Sequence, residues 1–137
     1  MHARVVDVEI DIGEALRLVS GPACGAIATF AGVVRDHDHG RQVVELEYVA
    51  HDSAHRVIGE IAESVAERHE NLTALAVVHR AGLLRVGGIA VVVAAASVHR
   101  ADALLACSEA IEDVKKLLPV WKRQVFADGT EEWVNCA

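Results

Sequence analysis

Two short runs constrain the fold of this chain more than anything else in it. Residues 89–98 read IAVVVAAASV and residues 72–79 read LTALAVVH, and neither contains Asp, Glu, Lys or Arg. Each is short for a core-filling helix and too continuously apolar for a strand with one wet face. Both therefore read as strands buried on two sides, with the Gly87-Gly88 turn leading into the second. Such strands need cover on both faces, and the remaining pattern offers helices to provide it.

Residues 5–10 alternate, with Val6, Val8 and Ile10 on one face and Asp7 and Glu9 on the other, which predicts a half-buried strand. Asp11, with Glu14 three residues later, predicts a short capped helix that Gly21-Pro22 stops. Residues 24–35 (CGAIATFAGVVR) are apolar on both faces and predict a central strand, with Gly32 as a bulge. A polar loop, Asp36 to Gly40, leads to an alternating hairpin partner at 42–49. Val57, Ile58, Ile61, Val65 and Ala66 recur at helical spacing and predict a helix from Asp52 or Ser53 to about residue 69. A second long helix is expected from Ala101, with Leu104, Cys107, Ile111, Val114 and Leu118 on its buried face and Pro119 as its end. A hairpin of residues 121–126 and 131–134 closes the chain around Asp128-Gly129. The order β-α-β-β-α-β-β-α-β-β predicts an α+β fold, one domain over residues 1–137, with a largely antiparallel sheet packed against helices.

At 137 residues and 53% hydrophobic, the chain suits one core. No apolar run approaches the ~20 residues that span a bilayer, and the first residues lack a signal peptide's apolar stretch. A cytoplasmic protein without membrane contacts is expected. Cys24, Cys107 and Cys136 form an odd set with no CxxC pair, which favours reduced thiols over disulfides or a zinc ribbon. The net charge of −7 disfavours nucleic acid. All three lysines, however, fall within Lys115–Lys122, which suits a small anionic ligand.

Lys115 borders the apolar stripe of the second long helix, where its stem can pack and its ammonium emerge at the rim. Lys122 follows the Pro119 break, and the chain can fold back there to bring the two amines together. Paired amines depress each other's proton affinity, which suits a base or nucleophile near neutral pH. The competing reading is two solvated lysines complementing a helix C-terminus. His99-Arg100 stands where a buried strand meets a helix N-terminus, a place that favours an anion, or else caps the helix in solvent. Arg35 ends the strand before the polar loop and can bind phosphate or pair with Asp36. His51 and His55 have the i, i+4 spacing of a zinc-binding helix, with His37 and His39 in reserve. Asp52, however, stands where zincin chemistry needs a Glu, and His51 is expected to precede the helix.

Several segments, taken in order, resemble the large subunit of molybdopterin synthase. They are GAIATFAGVVRDH from Gly25 to His37, VHRAG from Val78, SVHR ending at Arg100, Lys115, and PVWKR from Pro119 to Arg123. That resemblance implies a hammerhead-type α+β fold. It also implies a sulfurtransferase of molybdenum-cofactor biosynthesis that converts cyclic pyranopterin monophosphate to the dithiolene molybdopterin. Sulfur would arrive as a thiocarboxylate on the C-terminal Gly-Gly of a small ubiquitin-like subunit, with no resident cofactor or metal. The large subunits would pair as a homodimer within a heterotetramer. By carry-over Lys115 and Lys122 are catalytic. Arg35, His99 and Arg100 bind the substrate anion, the His-Arg pair reaching across the dimer interface, and Phe30 lines the site. Asp38, Ile111 and Gln124 depart from the family pattern, where Asn, Met and Glu are common. The rival functions are a non-catalytic module for a phosphorylated metabolite and a metal-dependent hydrolase built on His51 and His55.

Overall fold

The computed structural model describes residues 1–135; Cys136, one of the expected thiols, lies outside them. In chain order the elements are β1 (His2–Val6), α1 (Ile12–Val19), β2 (Ala26–Val33), β3 (His37–Asp38), β4 (Arg41–Ala50), α2 (Ala54–Arg68), β5 (Leu72–Arg80), β6 (Gly82–Arg85), β7 (Ile89–Ser97), α3 (Arg100–Leu117), β8 (Val120–Phe126) and β9 (Glu131–Asn135). The fold is α+β, as expected, with two sheets. One has the strand order β1-β5-β7-β2; the other is built on β3-β4-β8-β9, with β6 also paired to β4. All pairs are antiparallel except β1 with β5.

Two-sided burial of β7 is met by helices on both faces. Val91, Val93 and Ala95 join the core that also holds buried residues of α2 and α3. Val92, Ala94 and Ala96 face the other way, onto Ala15 and Val19 of α1. The period-2 alternation thus divides one apolar strand between two cores.

Five local expectations are corrected. Residues 42–49 form no hairpin with the run through Phe30, because β4 lies in the other sheet and pairs with β3, β6 and β8. The first strand begins at His2 and ends at Val6, because its partner β5 runs out at Arg80, and Val8 is 62% exposed. The run through Phe30 forms the edge strand β2, not a central one. Its register does shift between Gly32 and Val33, and a Cβ on Gly32 would come within 2.7 Å of a Val91 methyl. The strand β6, between the two apolar runs and not anticipated from the sequence, crosses to pair with β4. On α3, Ala103, Ala106 and Ala110 join Cys107, Ile111 and Val114 in the core, whereas Leu104 stays 62% exposed.

Capping of α1 is half as expected. The Asp11 carboxylate accepts from the Gly13 N–H at 2.8 Å, but Glu14 accepts from Arg4 at 3.3 Å instead of reaching back. Between β3 and β4 the chain turns on His39 (φ 51°) and Gly40 (φ 77°), a two-residue left-handed turn that matches the hairpin's twist.

Candidate active site

The β4–β8 ladder places Tyr48 opposite Lys122 and Leu46 opposite Gln124. On β8, Val120, Gln124 and Phe126 are buried and Lys122 is half-buried, so all four share the inward face. Two polar side chains thus interrupt an otherwise apolar strand face. Above them lies a cleft of about 370 Å³, walled by Phe30 to Arg35 of β2 and its exit, by Asp38, and by Lys115 of the last turn of α3.

The cleft brings together four of the residues singled out from sequence: Phe30, Arg35, Lys115 and Lys122. The chain does fold back after Pro119, carrying Lys122 to the cleft that Lys115 lines. Lys115 is exposed and Lys122 is the more enclosed of the two. His99 and Arg100 do not line this cleft. They are exposed at the opposite end of α3, about 22 Å from Lys115 along the helix axis. His99 takes the N-cap position but makes no capping hydrogen bond through its side chain.

Three further residues, Gln124, Asp38 and Tyr48, contribute to the cleft, and the sequence reading gave none of them a role there. Gln124, 3% exposed, donates from Nε2 to the Asp38 carboxylate at 2.8 Å, so two departures from the family pattern meet in the cleft. Asp38 also accepts from Arg35 at 3.3 Å and lies 3.2 Å from His39. The Gln124 hydrogen bond, aided by His39 and Lys122 against the cost of burial, holds the Asp38 carboxyl below the usual range. Tyr48 lines the cleft and meets the ring of His79 edge-on, with centroids 4.9 Å apart.

His79 is fully buried. Its Nδ1 lies 2.9 Å from the Arg80 carbonyl, which can only accept, so Nδ1 carries the proton and Nε2 is left as a buried acceptor without a hydrogen-bond partner. Burial pushes its pKa down to about 4, with the nearby charge of Lys115 acting the same way against the Arg80 hydrogen bond. The ring is therefore neutral at physiological pH. Inward polar residues on β8 were a readable signal for Gln124; His79 falls in the VHRAG segment of the family resemblance, but no local pattern marked it as lying beneath a site.

The histidine alternative has no matching geometry. His51 precedes α2 and its Nδ1 is engaged by Ser53, with the Ser53 Oγ at 2.8 Å and the Ser53 N–H donating at 3.1 Å. His55 lines a separate groove with Val5, Asp7 and Ala81. Among the described residues no group of three His, Cys, Asp or Glu side chains is placed to hold a metal ion. No helix among them is long and apolar enough to cross a membrane.

Fold and cleft define an α+β domain with an amine-rich pocket suited to a small anion. The MoaE protein family model matches residues 5–117, and the chain belongs to that family. It is 38% identical over 128 residues to the molybdopterin synthase catalytic subunit of Culex quinquefasciatus, covering 91% of this chain and 82% of that one. It is 45% identical over 125 residues to the molybdopterin synthase catalytic subunit of Oryza sativa subsp. indica. That match takes in 90% of this chain, which spans 64% of the rice protein's length. The crystal structure of molybdopterin synthase from Staphylococcus aureus superposes with a TM-score of 0.91 at 30% identity, covering 97% of this chain and 96% of that one.

Proposed function

We propose that this chain is the catalytic subunit of a molybdopterin synthase, a cytoplasmic sulfurtransferase acting on cyclic pyranopterin monophosphate. The observation that carries this reading is the meeting of Phe30, Arg35, Lys115 and Lys122 in one cleft. Arg35 supplies a guanidinium for the phosphate, and Phe30 an aromatic wall for the pterin. The partner's thiocarboxylate sulfur bonds to a side-chain carbon of the pterin and displaces an oxygen substituent, to which Lys115 gives a proton while Lys122 stabilises the developing negative charge; water then cleaves the acyl–sulfur bond, leaving the sulfur on the pterin and returning the partner's tail as a carboxylate. Because sulfur arrives on the C-terminal Gly-Gly of a small ubiquitin-like subunit, the reaction as proposed needs no resident cofactor, metal or catalytic cysteine.

His99 and Arg100 complete the site from a second copy. An apolar groove of about 390 Å³, lined by Ala28, Phe30, Leu104, Cys107, Ser108 and Ile111, adjoins the cleft through Phe30, which lines both. Cys107 and Ser108 lie midway between Arg100 and Lys115 on α3. A twofold axis near that midpoint would set two α3 helices antiparallel and bring each Arg100 beside the partner copy's Lys115. The edge strand β2 and the exposed Leu104 and Leu105 favour such pairing. With a small subunit on each copy, the assembly is a heterotetramer.

The test is reconstitution of the purified chain with the precursor pterin and a thiocarboxylated small subunit, the dithiolene product being read as a fluorescent derivative. Chain-dependent product is expected. Precursor bound without product would replace this reading with a binding module.

A further inference from the structure

The cleft holds one acid among its cations, and its placement is built. Asp38 is the only Asp or Glu among the described residues lining the cleft. Its side chain is 14% exposed, against 69% for Arg35. The His39-Gly40 turn pins it from the hairpin side, opposite Arg41 in the ladder. From β8 it is pinned by Gln124, itself buried two residues beyond Lys122. An exposed surface pair would have neither constraint.

We propose that Asp38 is a positioning residue for the substrate anion: clamped by Gln124, its carboxylate holds the Arg35 guanidinium at the cleft with most of its donors left for the ligand. This rests on the precursor-binding reading above. The opposite sign, in which Asp38 competes with the substrate for Arg35, is disfavoured by the contacts. Arg35 reaches Asp38 through a single nitrogen at 3.3 Å, to Oδ1, while Oδ2 serves Gln124 and His39. A competing carboxylate would take the guanidinium in a two-point clamp. Here the remaining donors of the fork stay available, and an otherwise mobile side chain is tethered at one point.

The experiment titrates the full-length chain with cyclic pyranopterin monophosphate and, in parallel, measures turnover with the thiocarboxylated small subunit. Asp38→Asn keeps an oxygen for the Gln124 amide and removes the charge. The expected result is precursor affinity weakened about tenfold, KM raised to match and kcat within about twofold of the parent. The double variant D38N/Q124E returns a carboxylate to the other side of the same hydrogen bond and should recover affinity to within about threefold. Should D38N fail to fold, Gln124→Met keeps the charge but removes its clamp, and a weakening of about threefold is expected. Unchanged or tighter precursor binding in D38N or Q124M, a loss confined to kcat, or a double variant no better than D38N would each overturn the proposal. A parent chain that binds precursor but forms no product would sink the sulfurtransferase reading while leaving Asp38 tested by affinity. A parent chain that does not bind precursor would overturn both.

Discussion

The two ends of α3 present cations in different settings. At the C-terminal end Lys115 shares a walled cleft with Lys122 and Arg35, because residues of β2, β4 and β8 line the same cleft as that helix end. At the N-terminal end His99 and Arg100 stand exposed, outside that cleft. Eighteen residues separate the ends by about 27 Å, well beyond the reach of an arginine side chain. A chain can therefore complete one end of such a helix from its own sheet. The other end contributes to the same chemistry only if a second copy brings it across.

The largest expected effect breaks the C-terminal end. Lys115→Ala should lower kcat/KM about a thousandfold, the usual range for loss of a positioned proton-transfer group, with the melting temperature unchanged. Turnover at the parent rate in the reconstituted assay would remove Lys115 from the mechanism. At the N-terminal end, Arg100→Ala should cost roughly ten- to a hundredfold in kcat/KM through weaker anion binding. The two variants together test whether the ends meet. Random pairing of equal amounts of K115A and R100A chains leaves about one cleft in four with both residues intact. The mixture, after subunit exchange, should then recover about a quarter of parental activity. Recovery no greater than the mean of the separate variants would mean that each cleft is served by its own chain.

A smaller effect distinguishes what lies beneath each end. Under the N-terminal end the buried polar group is Ser97, whose hydroxyl donates to the Asn71 carbonyl at 2.9 Å and does not titrate in the working range. Under the C-terminal end it is His79, held near pKa 4. Its folded pKa lies below the unfolded value of about 6.5, so the unfolded chain takes up a proton that the folded chain refuses. The neutral-histidine contribution is complete above pH 6.5 and is lost as pH falls toward 4, by up to about 3 kcal/mol. Asp36, Asp38 and Asp128, whose carboxyls are lowered by hydrogen bonds from His37, Gln124 and Thr130, lose their share only at lower pH. Denaturant unfolding at pH 7, 5.5 and 4 should show the first loss, and His79→Gln should flatten that slope whatever its absolute stability. A slope unchanged in H79Q would assign the acid sensitivity elsewhere.

Sequence and structure agree where local pattern decides the outcome and part where neighbours do. Helical spacing placed α2 and most of α3, and the alternation of residues 42–49 placed β4, because each reports which face of an element is apolar. Alternation does not report which strands lie alongside. The run through Phe30 therefore read as central although it forms an edge, and β6 went unanticipated although it pairs with β4. Leu104 shows the limit most clearly: at helical spacing it is indistinguishable from Cys107, yet it is 62% exposed, because periodicity does not separate a core from an uncovered face. In the site, the fold-back of Lys122 was legible from the Pro119 break. The Asp38–Gln124 bond spans 86 positions and depends on strand register, which no local motif encodes.

The smallest expected effect sharpens what the C-terminal end contributes. Lys116 adjoins Lys115 in the last turn of α3 and carries the same charge, but one residue turns the side chain about 100° around the helix. It is exposed and does not line the cleft. If activity followed the density of positive charge at this helix end, Lys116→Ala would lose a sizeable fraction of kcat/KM, and the loss would grow at low ionic strength, where the Debye length exceeds 10 Å. If it follows the placement of one amine, K116A should stay within about twofold of the parent at both high and low salt, with stability changed by no more than about 0.5 kcal/mol through the helix dipole. The cleft geometry selects the second outcome, and a salt-dependent loss in K116A would mean that the helix end steers the substrate as a charged patch.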